Sequence, residues 1–213
     1  IKKFAPKHFD KFDFVPSNGA SGDLLILWNS AVFSGSTIDK CSFGLTITFT
    51  SLLNSNTWKL TSVYDPCHDP ARTEFVHWLK SHTIASDENW LFLGDFNFYH
   101  SLEDRNKLGG NVLDTLIFND VIGHLGIVEL PLKGRAFTWS NMQQDPLLEQ
   151  LDWFFTSVNW TLSYPNTLVL SMAKITSDHI PCKVVISTSI PRTKIFRFEN
   201  FWVEHDGFLD TMM

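Results

Sequence analysis

Apolar and polar residues alternate most clearly over Phe43–Thr50, where Phe43, Leu45, Ile47 and Phe49 interleave with Gly44, Thr46, Thr48 and Thr50. A period of two is the mark of a strand with one face against a core. Trp58–Tyr64 should pair with it across the turn at Asn54–Thr57. Gly19 and Gly22 break the chain before Asp23–Trp28, whose short apolar run suits a strand buried on both faces. Trp90–Leu93 reads as a central strand that stops at Gly94, Asp95, Phe96 and Asn97. Short strands are also expected at Ile127–Leu130, Phe137–Ser140, Leu151–Thr156, Thr167–Leu170 and Lys183–Ile186.

Two stretches carry helical spacing instead. Asp69 and Pro70 resemble an N-cap and first helical residue, followed by Phe75, Trp78, Leu79 and Ile84, with an end before Asp87. Asn111–Leu125 places Leu113, Leu116, Ile117, Val121 and Leu125 on one face and is closed by Gly126. Strands outnumber helices and no internal repeat is present, so the expected fold is α/β, two packed sheets with helices outside.

The 213 residues, 44% hydrophobic and 19% charged, suffice for a sizeable core in one large domain or two small ones. The longest apolar run, Leu24–Trp28, falls far short of the roughly 18 residues that cross a bilayer, so no membrane association is expected. With 17 basic and 23 acidic side chains the net charge is −6, the wrong sign for holding nucleic acid chiefly by neutralising phosphates. Phosphate chemistry must therefore be local. Cys41, Cys67 and Cys182 are odd in number and too far apart for a Cys-x-x-Cys metal site, which points to a reducing, intracellular compartment. Residues 1–11 lack the apolar core of a signal peptide, and the expectation is a chain whose start lies upstream of Ile1.

Taken one at a time, the candidate groups are ambiguous. Asp95 and Asn97 follow a buried strand, where ligands and catalytic groups gather, yet Gly-Asp-x-Asn equally describes an Asx turn. Asp178 beside His179 suits binding of a divalent cation and polarisation of a phosphate, or a loop and helix cap. Asp152, between Leu151 and Trp153, is either buried and paired or functional.

Taken in order, they narrow. Val63-Tyr64-Asp65-Pro66, Gly94-Asp95-Phe96-Asn97, Phe137-Thr138-Trp139-Ser140-Asn141, Leu151-Asp152-Trp153 and Ser177-Asp178-His179-Ile180-Pro181 together resemble the endonuclease/exonuclease/phosphatase (DNase I-like) family. Within it the chain looks most like the apurinic-endonuclease-like domain of plant LINE-type (non-LTR) retrotransposons. The resemblance implies a four-layer α/β/β/α sandwich of two mostly antiparallel sheets, with its first strands missing. It implies such a domain over residues 1–190 and a tail or linker over 191–213 towards a downstream reverse transcriptase.

The implied activity is Mg²⁺-dependent nicking of DNA in the nucleus, with Mn²⁺ an alternative cation. Asp178 would help hold the metal, and His179, oriented by Asp152, would polarise the scissile phosphate. Asp95 would orient or deprotonate the attacking water, with Asn97 and Tyr64 fixing the phosphate and Asp95 by hydrogen bonds. The resemblance also implies an early Asn and a metal-binding Glu, and residues 1–22 contain neither motif nor any Glu. Asp65 stands where a Gly is expected, Gln150 where an Arg often precedes Leu-Asp, and Asp23 replaces a Gly; these changes add negative or remove positive charge. Weak or absent activity is therefore expected. The alternatives are a catalytically dead remnant that at most binds nucleic acid or protein, and a phosphatase of the same fold.

Overall fold

Period-two alternation in a sheet covered on both sides sends successive side chains into two different cores, and this division organises the chain. The computed structural model describes residues 6–17, 23–173 and 176–186. In chain order the elements are β1 (Lys11–Val15), β2 (Leu24–Trp28), β3 (Phe33–Lys40), β4 (Gly44–Ser51), β5 (Thr57–Tyr64), α1 (Ala71–Lys80), β6 (Trp90–Asp95), α2 (Val112–Leu125), β7 (Val128–Glu129), β8 (Leu132–Lys133), β9 (Trp139–Ser140), β10 (Leu148–Glu149), β11 (Asp152–Thr156), α3 (Val158–Ser163), β12 (Leu168–Ser171) and β13 (Cys182–Val185). A six-stranded sheet runs β3-β4-β5-β6-β11-β7, beside smaller sheets β1-β2, β9-β10 and β13-β12-β8. Among the described residues only β5–β6 and β8–β12 pair in parallel, so the fold is α/β with mostly antiparallel sheets, as expected.

On one face of the large sheet, Val63, Trp90, Phe92, Trp153 and Phe155 meet Phe75 and Leu79 of α1 and Phe118, Val121 and Leu125 of α2. On the other, Leu45, Ile47 and Phe49 pack against Val15, Leu24 and Ile26 of the β1–β2 pair. Burying aromatics of this size contributes about 2–3 kcal/mol each, which offsets the ordering of many short connections. Polar groups within the sheet are paired. The indole N–H of Trp90 donates to Thr61 Oγ1 (2.8 Å), which is 2.9 Å from Thr46 Oγ1.

Several expectations are corrected. Leu24–Trp28 is buried on one face only, because Leu25 points outward beside Phe12 and Phe14. Its backbone pairs on one side, over all five residues, with β1, a strand whose outward aromatics hid it from a core-seeking pattern. β3 was equally hidden by its Ser, Thr and Gly content; Gly35 lies under Trp28, where a Cβ would come within 2.8 Å of the indole. Pro70 rather than Asp69 is the N-cap of α1, and Asp69 instead accepts from Thr73 Oγ1 (2.8 Å). In α2 the cap at Asn111 and the left-handed Gly126 (φ 62°) are where the sequence put them, but the buried stripe is Phe118, Val121 and Leu125 while Leu113 and Leu116 are exposed. No helix among the described residues is long and apolar enough to cross a membrane. The tail at 191–213 lies outside the described residues.

Gly44 sets how closely α1 approaches the sheet: a Cβ there would lie 2.2 Å from the Trp78 ring. Gly44→Ala should therefore lower stability by about 1–3 kcal/mol, read as a lower urea midpoint, and Gly44→Val by more.

Candidate active site

The register of three adjacent strands aligns one row of polar residues. Tyr64 at the end of β5 pairs with Asp95 at the end of β6, and Asp95 pairs with Asp152 at the start of β11. Gly94 makes this alignment possible. Its φ of 142° is open to glycine alone, and a Cβ would lie 2.1 Å from the Val63 carbonyl oxygen on the neighbouring strand.

Beyond β6 the chain turns at once. Asn97 adopts φ 50°, and its backbone N–H donates to Asp95 Oδ1 (3.1 Å) while its side-chain Nδ2 donates to the Asp65 carbonyl (2.9 Å). The Asx turn and the functional reading thus describe the same atoms. His179 arrives from the loop before β13. Its Nδ1–H donates to Asp152 Oδ2 (2.8 Å), and Nε2 lies 3.8 Å from Asp95 Oδ2. The Trp139 indole N–H donates to Asp178 Oδ2 (3.0 Å). The structure thus brings Asp95, Asn97, Asp152, Asp178 and His179 together, with Tyr64 beside Asp95.

Residues 138–140, whose role sequence reasoning missed, hold this arrangement. Thr138 is fully buried, and its Oγ1 accepts the backbone N–H groups of Leu151 and Asp152 (3.0 Å each). Its carbonyl accepts from Ile180 (2.7 Å), and Ser140 N–H donates to the Asp178 carbonyl (3.1 Å). One short segment therefore fixes Asp152 on one side and the Asp178-His179 loop on the other. Thr138 lies in a motif already singled out, but only its contacts disclose what it does.

Burial pushes the Asp95 carboxyl up to about 7, with the Asp152 charge adding and His179 and Asn97 opposing. For His179 burial works against the imidazolium, but the hydrogen bond and charge of Asp152, with Asp95 and Asp178 nearby, outweigh it and raise the pKa. The Trp139 hydrogen bond holds Asp178 below the ordinary carboxylate range. Burial raises the Cys67 and Cys182 thiols to about 11, which removes them as nucleophiles near neutrality.

Two of the departures noted in the sequence have partners in the structure. The Asp65 side chain is fully buried, with Arg72 Nε 3.7 Å from Oδ2, and burial pushes it up to about 7, Arg72 opposing and the Asp95 and Asp114 charges adding. Asp23 accepts the Ser17 N–H (2.6 Å) in the β1–β2 connection. Among the described residues no three His, Cys, Asp or Glu side chains form a cage for a metal ion.

The sequence profile of the Endonuclease/Exonuclease/phosphatase family matches residues 3–179, and the chain belongs to that family. Among curated proteins it is 26% identical over 164 residues to the Transposon TX1 uncharacterized 149 kDa protein of Xenopus laevis, covering 73% of this chain and 12% of that protein's length. Among solved structures it resembles the endonuclease domain of TRAS1, a telomere-specific non-LTR retrotransposon (TM-score 0.65, 12% identity, 84% of this chain and 80% of that one). It also resembles D. rerio TDP2 complexed with single strand DNA product (TM-score 0.53, 15% identity, 88% and 80%).

The raised carboxyl groups have a measurable cost. Below about pH 4 an Asp95 with an ordinary value of 3.8 is protonated in both the unfolded and folded chains; between about 4 and 7 only the folded chain keeps its proton, so stability is lost as pH rises through about 7. Melting temperatures of the wild type should fall from pH 5 to pH 8 more steeply than those of Asp95→Asn. Parallel curves would show that the carboxyl is solvated in the folded chain.

Proposed function

We propose that the chain is a Mg²⁺-dependent phosphodiesterase of the retrotransposon endonuclease type, acting on DNA. The observation that carries this reading is the Asp152–His179–Asp95 arrangement at adjacent strand ends, with Asp178 alongside. Asp152 holds the His179 proton at Nδ1, so Nε2 faces the site, and the raised pKa favours the imidazolium that stabilises charge on the scissile phosphate. Asp95, with a proton affinity near neutrality, takes the proton of the attacking water. Asn97 fixes Asp95 through its backbone N–H, and Tyr64 stands beside Asp95 in the strand register.

Three carboxylates face a single imidazole here, and such a site repels a phosphodiester unless a cation intervenes. The all-oxygen donor set suits Mg²⁺ or Mn²⁺, and Asp178, ionised at neutral pH, would hold it. When bound, the cation supplies charge neutralisation at the phosphate. The single carboxylate at 178 and the lack of a cage among the described residues favour a second reading, a module that binds nucleic acid without cutting it. The transposon protein, of which this chain spans 12%, is consistent with a domain of a longer protein; residues 1–190 as that domain, 191–213 leading to a reverse transcriptase and a nuclear location belong to the same proposal.

Supercoiled plasmid in millimolar Mg²⁺ tests the reading. Slow nicking is expected, abolished by EDTA and reduced at least about 100-fold by Asp178→Ala or His179→Ala. Activity should rise through about pH 7 as the buried cluster loses its first proton and decline at higher pH as His179 does; Asp95→Asn should remove the acid limb. Retained gel-shift binding with no cleavage at any pH would support the binding module instead.

A further inference from the structure

We infer that Arg72 is a positioning residue that locks the Asp95–Asn97 turn; the inference rests on the phosphodiesterase reading for its catalytic consequence and on geometry for the rest. Arg72 is the second residue of α1. A cation in the first turn of a helix opposes the macrodipole, so its placement there requires compensation. The compensation is dense. One guanidinium nitrogen donates to the Asn97 carbonyl (2.9 Å), another reaches the Cys67 carbonyl (3.3 Å), and the plane lies 3.9 Å from the centre of the Phe98 ring. Asp65 (3.7 Å) and Asp114 of α2 (3.2 Å) supply the countercharge.

These contacts converge on one peptide. Asn97 sits at φ 50°, a conformation that costs free energy for any residue but glycine, and three bonds hold it: its N–H to Asp95, its side chain to the Asp65 carbonyl, its carbonyl to Arg72. The first comes from the end of β6, the second from the residue that follows β5, and the last from α1. The planar fork of Arg72 spans two carbonyls and an aromatic face at once, which a lysine ammonium does not do. Asp65, the carboxylate that departs from the family's glycine, thus lies as a buried countercharge 3.7 Å from Arg72 Nε.

A purely electrostatic role would make Arg72 a counterion for Asp65 and nothing more, and removing both separates the two accounts. In the full 213-residue chain, Arg72→Met should lower the melting temperature by about 5 °C or more, because it strands a buried carboxylate. The double variant Asp65→Ala with Arg72→Met should recover most of that loss. Its kcat for plasmid nicking should nevertheless remain at least about tenfold down with KM unchanged, and backbone amides 95–98 should exchange with deuterium at least about tenfold faster than in the wild type. Arg72→Lys should keep most of the stability and share the kcat and exchange defects. A double variant with wild-type kcat and wild-type exchange over 95–98 would overturn the inference. Absence of nicking by the wild type would instead defeat the phosphodiesterase reading, and exchange alone would then decide: unchanged rates over 95–98 in the double variant reject a positioning role.

Discussion

The close approach of β5 and β6 at Gly94 is the constraint on which the rest of the site depends. A side chain there would force the strands apart by more than an ångström, and the parallel register that puts Tyr64 beside Asp95 would go with it. The antiparallel pairing of β6 with β11 then extends the row to Asp152 without further specification. Strand backbones are the stiffest part of such a fold, so three groups are fixed before any loop contributes. The loops add His179 and Asp178 afterwards, each through hydrogen bonds to a strand or to Thr138–Ser140.

Two acidic islands lie close together and differ in the cation that answers each. Around Asp95, burial and like charge are only partly answered by one imidazole, which leaves a carboxyl that exchanges its proton near neutrality. Asp65 is as deeply placed, yet it faces the helix side and a guanidinium that is permanently charged. Both carboxyls are raised to about 7, the first answered by an imidazole that can itself titrate and the second by a guanidinium that cannot. Both cost folding free energy, and the aromatic core shared by the sheet, α1 and α2 offsets that cost.

Much of this was readable beforehand, where one physical signal dominated. The alternation in Phe43–Thr50, the Asn111 and Gly126 ends of α2 and the arrest of β6 at Gly94-Asp95 are local effects of pleat, cap and turn, and local sequence reports them. β1 and β3 were missed because apolar side chains do not mark their inner faces: the aromatics of β1 face outward, and in β3 a glycine lies under the Trp28 indole. The family motifs named the residues that converge but not what holds them together. Thr138 and Arg72 act through partners distant in sequence, Thr138 on Leu151 and Asp152 and Arg72 on Asn97, and no spacing rule encodes such contacts. For Arg72 there was one faint cue, a cation at the wrong end of a helix.

The hairpin of β9 and β10 has a consequence for how such a domain can diverge. At its tip Asn141 closes the loop on itself, donating its N–H to the Leu147 carbonyl (3.1 Å) and accepting the N–H groups of Gln143 and Leu147 on its side chain (3.3 and 3.0 Å). Residues 142–144 are exposed, and Asp145 after them is held by Lys107 Nζ (2.6 Å), so the number of residues over 142–144 can change at little more than the entropy of a longer loop. Three residues earlier the opposite holds: at Thr138–Ser140 an insertion would shift the partners of Asp152, Asp178 and Ile180 together. Freedom in length and strict invariance of length therefore sit side by side in one hairpin, and its tip can lengthen or shorten while the reacting groups stay where they are.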